Sequence, residues 1–123
     1  MRLLYTNGNC NKFLISGTKD KMLLFEGSAL KIKENKEINQ EEFIQISENQ
    51  FNKNRYMRKN LSDKILSFLQ RLHFGFLQAQ DKGTKIELLR KIIYLEKLYK
   101  EMDFKIQYHE EEKFYHTYKI ALR

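Results

Sequence analysis

The stretch LSDKILSFLQRLHFGFLQAQ, residues 61–80, carries the clearest fold signal in this chain of 123 residues. It contains no proline and a single glycine, Gly75, and its apolar residues recur every three or four positions, which is the period of an α-helix. Leu66, His73 and Leu77 widen this apolar stripe, so we expect the helix to be buried on most of its circumference or to form an oligomer interface. The stripe itself consists of Leu61, Ile65, Phe68, Leu69, Leu72, Phe76 and Ala79.

A second helix is predicted directly after the first. The sequence DKGT, residues 81–84, interrupts the helical period, and Gly83 suits the left-handed conformation that ends many helices. Thr84 and Glu87 have the spacing of a capping box, which predicts a helix start at Thr84. Apolar residues recur at helical spacing from there to about Met102, so the two helices together predict an antiparallel helical hairpin.

The first third of the chain contains short apolar runs separated by turn residues. The runs RLLY, KFLIS, KMLLFEG and ALKIKE have the length of strands, and Asn7–Gly8 is a pair typical of tight turns. This pattern predicts an N-terminal antiparallel β-meander. The sequence NQEE, which begins at Asn39, has capping-box spacing and predicts a helix start. The alternative is that EFIQIS, residues 42–47, forms a strand.

The C-terminal tail, residues 104–122, has a different period. Apolar and aromatic side chains alternate with polar ones there in two runs, which favours strands over a helix. We therefore predict a C-terminal β-hairpin, with a last amphipathic helix as the alternative. The predicted fold class is α+β, with an N-terminal antiparallel β-meander, a central antiparallel helical hairpin and a C-terminal β-hairpin in a single domain of residues 1–123.

Composition and simple motifs exclude several classes of protein. The single cysteine, Cys10, forms no intramolecular disulfide, which is consistent with a reducing compartment. The N-terminal run MRLLYTNGN is too short for a signal peptide, and no apolar stretch has the length of a membrane span. We expect a soluble cytoplasmic protein without membrane contact. Because phosphate-binding loops, dinucleotide motifs and nucleophile elbows are absent, the sequence predicts no cofactor.

Most of the net charge of +7 is concentrated in one short segment. Residues 51–60, FNKNRYMRKN, contain four basic residues and no acidic one, and we call them the basic segment. Its cations suit phosphates and its exposed aromatic residues suit bases, so it predicts a nucleic-acid contact of low sequence specificity. The alternative is a solvated connector whose aromatic residues anchor it to the core. The predicted binding residues are Lys53, Arg55, Tyr56, Arg58 and Lys59.

The apolar centre of the first helix predicts a different kind of site. Phe74 and Phe76 flank Gly75 and point in different directions on a helix, so one of the two is expected to be exposed. An exposed phenylalanine predicts a protein–protein contact, either with an acidic partner that the basic segment steers or with a second copy in a homodimer. The alternative is that the sheet and the C-terminal hairpin cover the helix on both sides.

Three further patterns have simpler explanations. Residues 61–102 have the outline of a helix-turn-helix, but glutamates match most cations of the second helix, which is typical of a solvated face. His109 and His116 match no zinc-ligand spacing, so we predict no metal site. The tail also contains the residue types of a metal-independent ribonuclease, without a specific motif.

These observations lead to one principal prediction and two alternatives. We predict a small non-enzymatic accessory protein that binds nucleic acid, or associates with nucleoprotein, through the phosphate backbone and the basic segment. The first alternative is a protein–protein interaction module, either an oligomeric adaptor or an inhibitor, that uses the apolar central helix. The second alternative is a small metal-independent ribonuclease that uses the tail.

Overall fold

The computed structural model describes residues 3–17 and 20–102, which form a five-stranded antiparallel sheet, two short 3₁₀-helices and three α-helices. The strands are β1 (Leu4–Thr6), β2 (Lys12–Ser16), β3 (Lys21–Glu26), β4 (Ala29–Glu34) and β5 (Ile44–Ile46). The 3₁₀-helices are Asn35–Glu37 and Gln40–Glu42, and the α-helices are α1 (Glu48–Lys53), α2 (Arg55–Gln78) and α3 (Lys82–Glu101).

The predicted α+β class and the N-terminal meander are confirmed. Strands β1 to β4 each pair with the next, and β5 adds to the free side of β1, so the strand order is β4-β3-β2-β1-β5. Leu4 lies opposite Ile15 on one side and Ile46 on the other, and Ile15 lies opposite Leu23. The predicted C-terminal β-hairpin lies outside the described residues.

The chain divides into two compact units, Met1–Phe68 and Leu69–Arg123. The first unit contains the whole sheet, α1 and the first part of α2. The second contains the last part of α2 and all of α3. That the chain forms a single domain stays a prediction.

One face of the sheet supplies the core of the first unit. Residues paired across antiparallel strands point to the same face, so the rows through Leu4 and Thr6 lie on one side. Burying a large apolar side chain in such a core contributes about 1.5–3 kcal/mol. The almost fully buried members of this face are Leu4, Thr6, Phe13, Ile15, Leu23, Phe25 and Ile46. The buried helical residues of the same unit are Phe51, Met57, Leu61 and Ile65.

Two long-range hydrogen bonds attach α2 to the sheet within this unit. Asn60 Nδ2 donates to the carbonyl oxygen of Cys10 at 3.1 Å, in the loop between β1 and β2. Lys64 Nζ donates to the carbonyl oxygen of Gly27 at 3.1 Å, in the turn between β3 and β4. Because these bonds are one helical turn apart, they fix the direction in which α2 runs past the two turns.

The loop between β1 and β2 differs from a two-residue turn at Asn7–Gly8. The Asn7 side-chain oxygen accepts hydrogen bonds from the backbone N–H groups of Asn11 and Lys12, both at 3.1 Å. The residue with left-handed backbone geometry is Cys10, at φ 56°, and not Gly8. The prediction that a turn lies here, with Cys10 inside it, is therefore confirmed, although the glycine is not the residue that makes it.

The prediction of a helix that starts near Asn39 is wrong beyond the first turn. The Asn39 side chain accepts a hydrogen bond from the backbone N–H of Glu41 at 3.2 Å, but the helix it caps is the single 3₁₀ turn Gln40–Glu42. The chain then pairs with β1 as strand β5, as the alternative prediction had it. Pairing along the edge of the sheet satisfies the same backbone groups that a longer helix would have used.

The helical hairpin is confirmed in the second unit. Lys85 Nζ lies 5.9 Å from the centre of the Phe76 ring, and a methyl group at Gly75 would lie 3.7 Å from Leu88 Cδ1. An earlier residue of α2 therefore meets a later residue of α3, which is the register of antiparallel helices. Helix α2 is also longer than predicted, because it begins at Arg55 and not at Leu61.

Asp81, and not Thr84, begins helix α3. The carboxylate of Asp81 accepts hydrogen bonds from the backbone N–H of Thr84 at 2.9 Å and from its hydroxyl at 3.0 Å. Both hydrogen bonds favour the ionised carboxylate, and the one from the backbone has the larger effect. They hold the pKa of Asp81 below its ordinary value. The capping box predicted at Thr84 is therefore wrong, and Gly83 lies inside α3 and does not end the preceding helix.

Candidate nucleic-acid interface

The basic segment forms the corner between α1 and α2, and Asn54 lies at its centre. The backbone N–H of Asn54 donates to the carbonyl oxygen of Phe51 at 3.2 Å, which closes α1. The side-chain Oδ1 of Asn54 accepts from the backbone N–H of Met57 at 3.1 Å, and its carbonyl accepts from the N–H of Arg58 at 3.0 Å. One asparagine therefore ends the first helix and caps the second.

Two buried side chains fix this corner to the core of the first unit. Phe51 is fully buried and Met57 is 8 % exposed, and they stand on either side of Asn54. Phe51 is thus the core anchor that the connector hypothesis required. Tyr56 is not an anchor, because 67 % of its surface is exposed.

Three of the four basic side chains are exposed, and the fourth folds back on α1. Arg58 is half-buried, and its Nη1 donates to the carbonyl oxygen of Asn52 at 3.4 Å. This guanidinium and Lys53 both lie at the carboxyl end of α1, where positive charge interacts favourably with the helix dipole. The exposed cations are Lys53, Arg55 and Lys59.

The positive charge at the start of α2 has the opposite sign to the charge that stabilises the N-terminus of a helix. The first turn contains no acidic residue, and Arg55, Arg58 and Lys59 place positive charge at its positive end. An unfavourable charge in such a position costs about 0.3–1 kcal/mol at an exposed helix end. Among the described residues, the ion pairs found involve neither Arg55 nor Lys59. Helix stability therefore does not explain these cations.

Arg55, Tyr56 and Lys59 lie on the same side of α2. Residues three and four positions apart are neighbours on a helix surface, so the Lys59 ammonium is next to both other side chains. Asp63 is one turn further along and is exposed, which limits the uncompensated charge to the first two turns. The arrangement combines an exposed ring with neighbouring cations, which together favour a ligand that carries both phosphates and unstacked bases.

The two phenylalanines of the predicted interaction surface have different environments. Phe74 is 61 % exposed, whereas Phe76 is fully buried within the second unit. This agrees with the expectation that one of the two is exposed. The inclusion of Phe76 in the interaction surface is corrected, because its ring is covered and Lys85 Nζ lies over it. Leu77, which was expected on the buried side, is 49 % exposed and lies three residues from Phe74. The exposed apolar pair of α2 is therefore Phe74 and Leu77.

The remaining predictions concern metals, membranes and the tail. In residues 3–17 and 20–102, acidic, histidine and cysteine side chains form no group of three suited to a metal ion. None of the helices in this part of the chain combines the length and the apolar character needed to cross a bilayer. His109, His116 and the ribonuclease hypothesis that uses them lie outside the described residues.

The capping role of Asn54 was not predicted from the sequence, although a signal for it was present. An asparagine between two helical stretches is a preferred N-cap, and Met57 three residues on is the position whose N–H such a cap binds.

Comparison of the chain with models of known families, with curated proteins and with solved structures found no match.

Proposed function

We propose that this protein binds nucleic acid through the basic segment, without catalysing a reaction and with little base specificity. The observation that carries the proposal is the set of exposed cations at the start of α2, which neither helix stability nor the ion pairs of the described residues explain. Cations in such a position gain favourable interactions when phosphates approach. A cytoplasmic location, which the lone cysteine supports, is part of the same proposal.

The geometry favours single-stranded ligands. Tyr56 projects from the same side of α2 as Arg55 and Lys59, and a base stacked on an exposed ring contributes about 1–3 kcal/mol. A base-paired duplex does not offer its ring faces to such a side chain, so the aromatic contribution is lost there. We therefore expect tighter binding to single-stranded RNA or DNA than to the matching duplex.

The number of cations sets the expected salt dependence. Each phosphate that is neutralised contributes a slope of about −0.7 to the plot of log K against log salt for single strands, and about −0.9 for duplex DNA. The four basic side chains of the segment therefore predict a slope of about −3. Affinity should fall about 50-fold between 50 and 200 mM salt.

The test is fluorescence anisotropy with mixed-sequence oligonucleotides at these two salt concentrations. A variant with Lys53, Arg55, Arg58 and Lys59 changed to alanine should lose binding. The matched control changes four exposed cations of α3 to alanine, namely Lys82, Arg90, Lys91 and Lys97, and has the same net charge. Loss in the first variant with retention in the second supports the proposal. Equal binding by both variants, or no binding by the wild-type protein, contradicts it.

A second candidate function is a protein–protein contact through α2. Phe74 and Leu77 are large apolar side chains, both substantially exposed and three residues apart, so they form one continuous apolar site. We propose the second copy in a homodimer as its first partner. Sizing chromatography across a concentration series should show association that Phe74→Glu abolishes and that Gln70→Glu, at an exposed position one turn earlier, leaves intact.

A further inference from the structure

A pocket of about 120 Å³ lies on the second face of the sheet, beneath the segment that joins β4 to β5. Its base consists of the buried side chains of Leu14 and Met22 on two neighbouring strands. The half-buried rings of Tyr5 and Phe43 line it as well. The pocket therefore has apolar and aromatic walls, as small-molecule sites generally have.

The backbone holds the covering segment in a fixed conformation. The N–H of Asn35 donates to the carbonyl oxygen of Asp20 at 2.8 Å, which attaches the start of the segment to the end of the β2–β3 connection. The N–H of Ile38 donates to Asn35 at 3.3 Å, and the N–H of Phe43 donates to Gln40 at 3.1 Å, in the two 3₁₀ turns. Because these turns use their own backbone groups, the segment covers the sheet without pairing to it.

The size of the pocket selects a small ligand. An apolar protein cavity of about 150 Å³ accommodates benzene, so a pocket of about 120 Å³ has room for one six-membered ring. A purine or a bicyclic aromatic ring is too large to enter fully. The volume therefore favours a ligand that places a single ring in the pocket.

The polar groups of the pocket select the chemistry of that ring. Among residues 3–17 and 20–102, none of those that line the pocket is charged, so a buried anion or cation would find no counter-charge from them. The polar residues that line it include Asn35 and Gln40, both exposed, and the half-buried Tyr5. Within the described part of the chain, no hydrogen bond involves these three side-chain groups. Amides and a hydroxyl both donate and accept, which suits a ring whose edge alternates donors and acceptors.

We propose that this pocket binds one uncharged pyrimidine ring. The ring faces would contact the apolar and aromatic walls, and its polar edge would meet the amides of Asn35 and Gln40, in the manner in which proteins hold unstacked bases. The ring is that of a free nucleobase or nucleoside, or of an unpaired base in a single strand. This site does not depend on the basic segment and goes beyond the function proposed for it.

The first experiment is a methyl NMR titration with Leu14 and Met22 as reporters. Uracil should cause saturable shifts at both residues. Benzene, which cannot hydrogen-bond to the amides, and orotate, which adds a carboxylate to the same ring, should each bind about tenfold more weakly, because benzene forgoes the hydrogen bonds and the carboxylate would lose hydration without gaining a counter-charge. An absence of saturable shifts with uracil, or tighter binding of benzene than of uracil, overturns the proposal.

A double variant with Asn35→Ala and Gln40→Ala tests the polar edge. Both side chains are exposed, so the fold should persist, and the variant should lose uracil binding while benzene binding stays unchanged. Glu41→Ala, at an exposed position of the same segment that does not line the pocket, is the matched control and should bind uracil as the wild type does. Uracil binding that survives the double change contradicts the assignment of the ring edge to these amides.

Two further measurements complete the test. One identifies whether the ring belongs to a free nucleoside or to a strand, and the other asks whether the pocket depends on the basic segment. Uridine and an oligouridine strand are compared in the same titration with the variant that neutralises the basic segment, so that phosphate contacts there do not add to the affinity of the strand. Tighter binding of the strand identifies a base within nucleic acid, and equal or weaker binding identifies the free nucleoside. The variant that neutralises Lys53, Arg55, Arg58 and Lys59 should still bind uracil with unchanged affinity. A failure of the nucleic-acid proposal would therefore not contradict the pyrimidine proposal. A failure of the pyrimidine proposal would likewise not contradict the nucleic-acid proposal.

Discussion

Asn54 Oδ1 accepts a hydrogen bond from the backbone N–H of Met57 at 3.1 Å, and this bond begins α2 in the middle of the basic segment. The same asparagine ends α1 through its own N–H, so one residue caps both helices at the corner. The buried side chains of Phe51 and Met57 hold the corner from the side of the core. The exposed cations around Asn54 are consequently carried on a fixed backbone.

Changes at Asn54 should separate stability from ligand binding. Asn54→Ala removes the cap and should lower the free energy of unfolding by about 1 kcal/mol, whereas Asn54→Ser keeps a capping oxygen and should cost less. Asn54→Asp also keeps the cap but adds negative charge among the cations, so it should preserve stability and weaken nucleic-acid binding. Urea unfolding and anisotropy measure the two effects. Unchanged binding by the aspartate variant would argue against a phosphate contact at this corner.

Replacing Gly75 with alanine should stabilise the protein. The helix runs through this position without a break, and a methyl group there would meet Leu88 at 3.7 Å, which is an ordinary van der Waals distance. Since glycine within a helix costs about 1 kcal/mol relative to alanine, Gly75→Ala should raise the free energy of unfolding by about 0.5–1 kcal/mol. Thermal or urea unfolding tests this. A destabilised variant would mean that α2 and α3 approach each other more closely than these distances indicate.

The opposite outcome is expected at Gly17. A methyl group there would lie 2.8 Å from the carbonyl oxygen of Lys21, the same oxygen that accepts a hydrogen bond from the Gly17 N–H at 2.9 Å. Gly17→Ala should therefore disturb the connection between β2 and β3 and lower the free energy of unfolding by about 1–3 kcal/mol. Gly8→Ala is the control, because a methyl group at Gly8 has no neighbouring atom within 4 Å. Equal stability of the two variants would contradict this reasoning.

Asp81 should make the stability of the helical hairpin depend on pH. Its pKa is lower in the folded protein than its ordinary value of 3.8, because the Thr84 N–H and hydroxyl bind the carboxylate form. The folded state therefore binds this proton less readily than the unfolded chain does. The stabilisation is complete above the ordinary pKa and is lost as the pH falls through the lowered one.

Asp81→Asn isolates this effect, since asparagine still caps the helix but does not titrate. The stability difference between wild type and Asp81→Asn should favour the wild type at pH 7 and shrink at acidic pH. Urea unfolding at pH 7, 4 and 3 measures it. A difference that stays constant over this range would show that the charge of Asp81 contributes nothing to the cap.

The strands and helices with a regular pattern were predictable from the chain alone. The apolar run KFLIS is strand β2, residues Lys12–Ser16, and the helical period of residues 61–80 lies almost entirely within α2. The concentration of charge in residues 51–60 was also visible, since it requires only counting. In these segments local preference and the requirements of packing agree, so the pattern is sufficient.

Other features depend on contacts between distant parts of the chain. Residues 44–46 became a strand because Leu4 and its neighbours offered an unpaired edge, although the preceding turn was capped as a helix. Phe74 and Phe76 are chemically identical, yet only Phe76 is covered. The pocket combines residues of three strands with a distant segment and leaves no local signal. A local pattern records which side chains are apolar and how they are spaced, whereas the partners that cover them and satisfy their backbone groups are fixed only when the chain has folded.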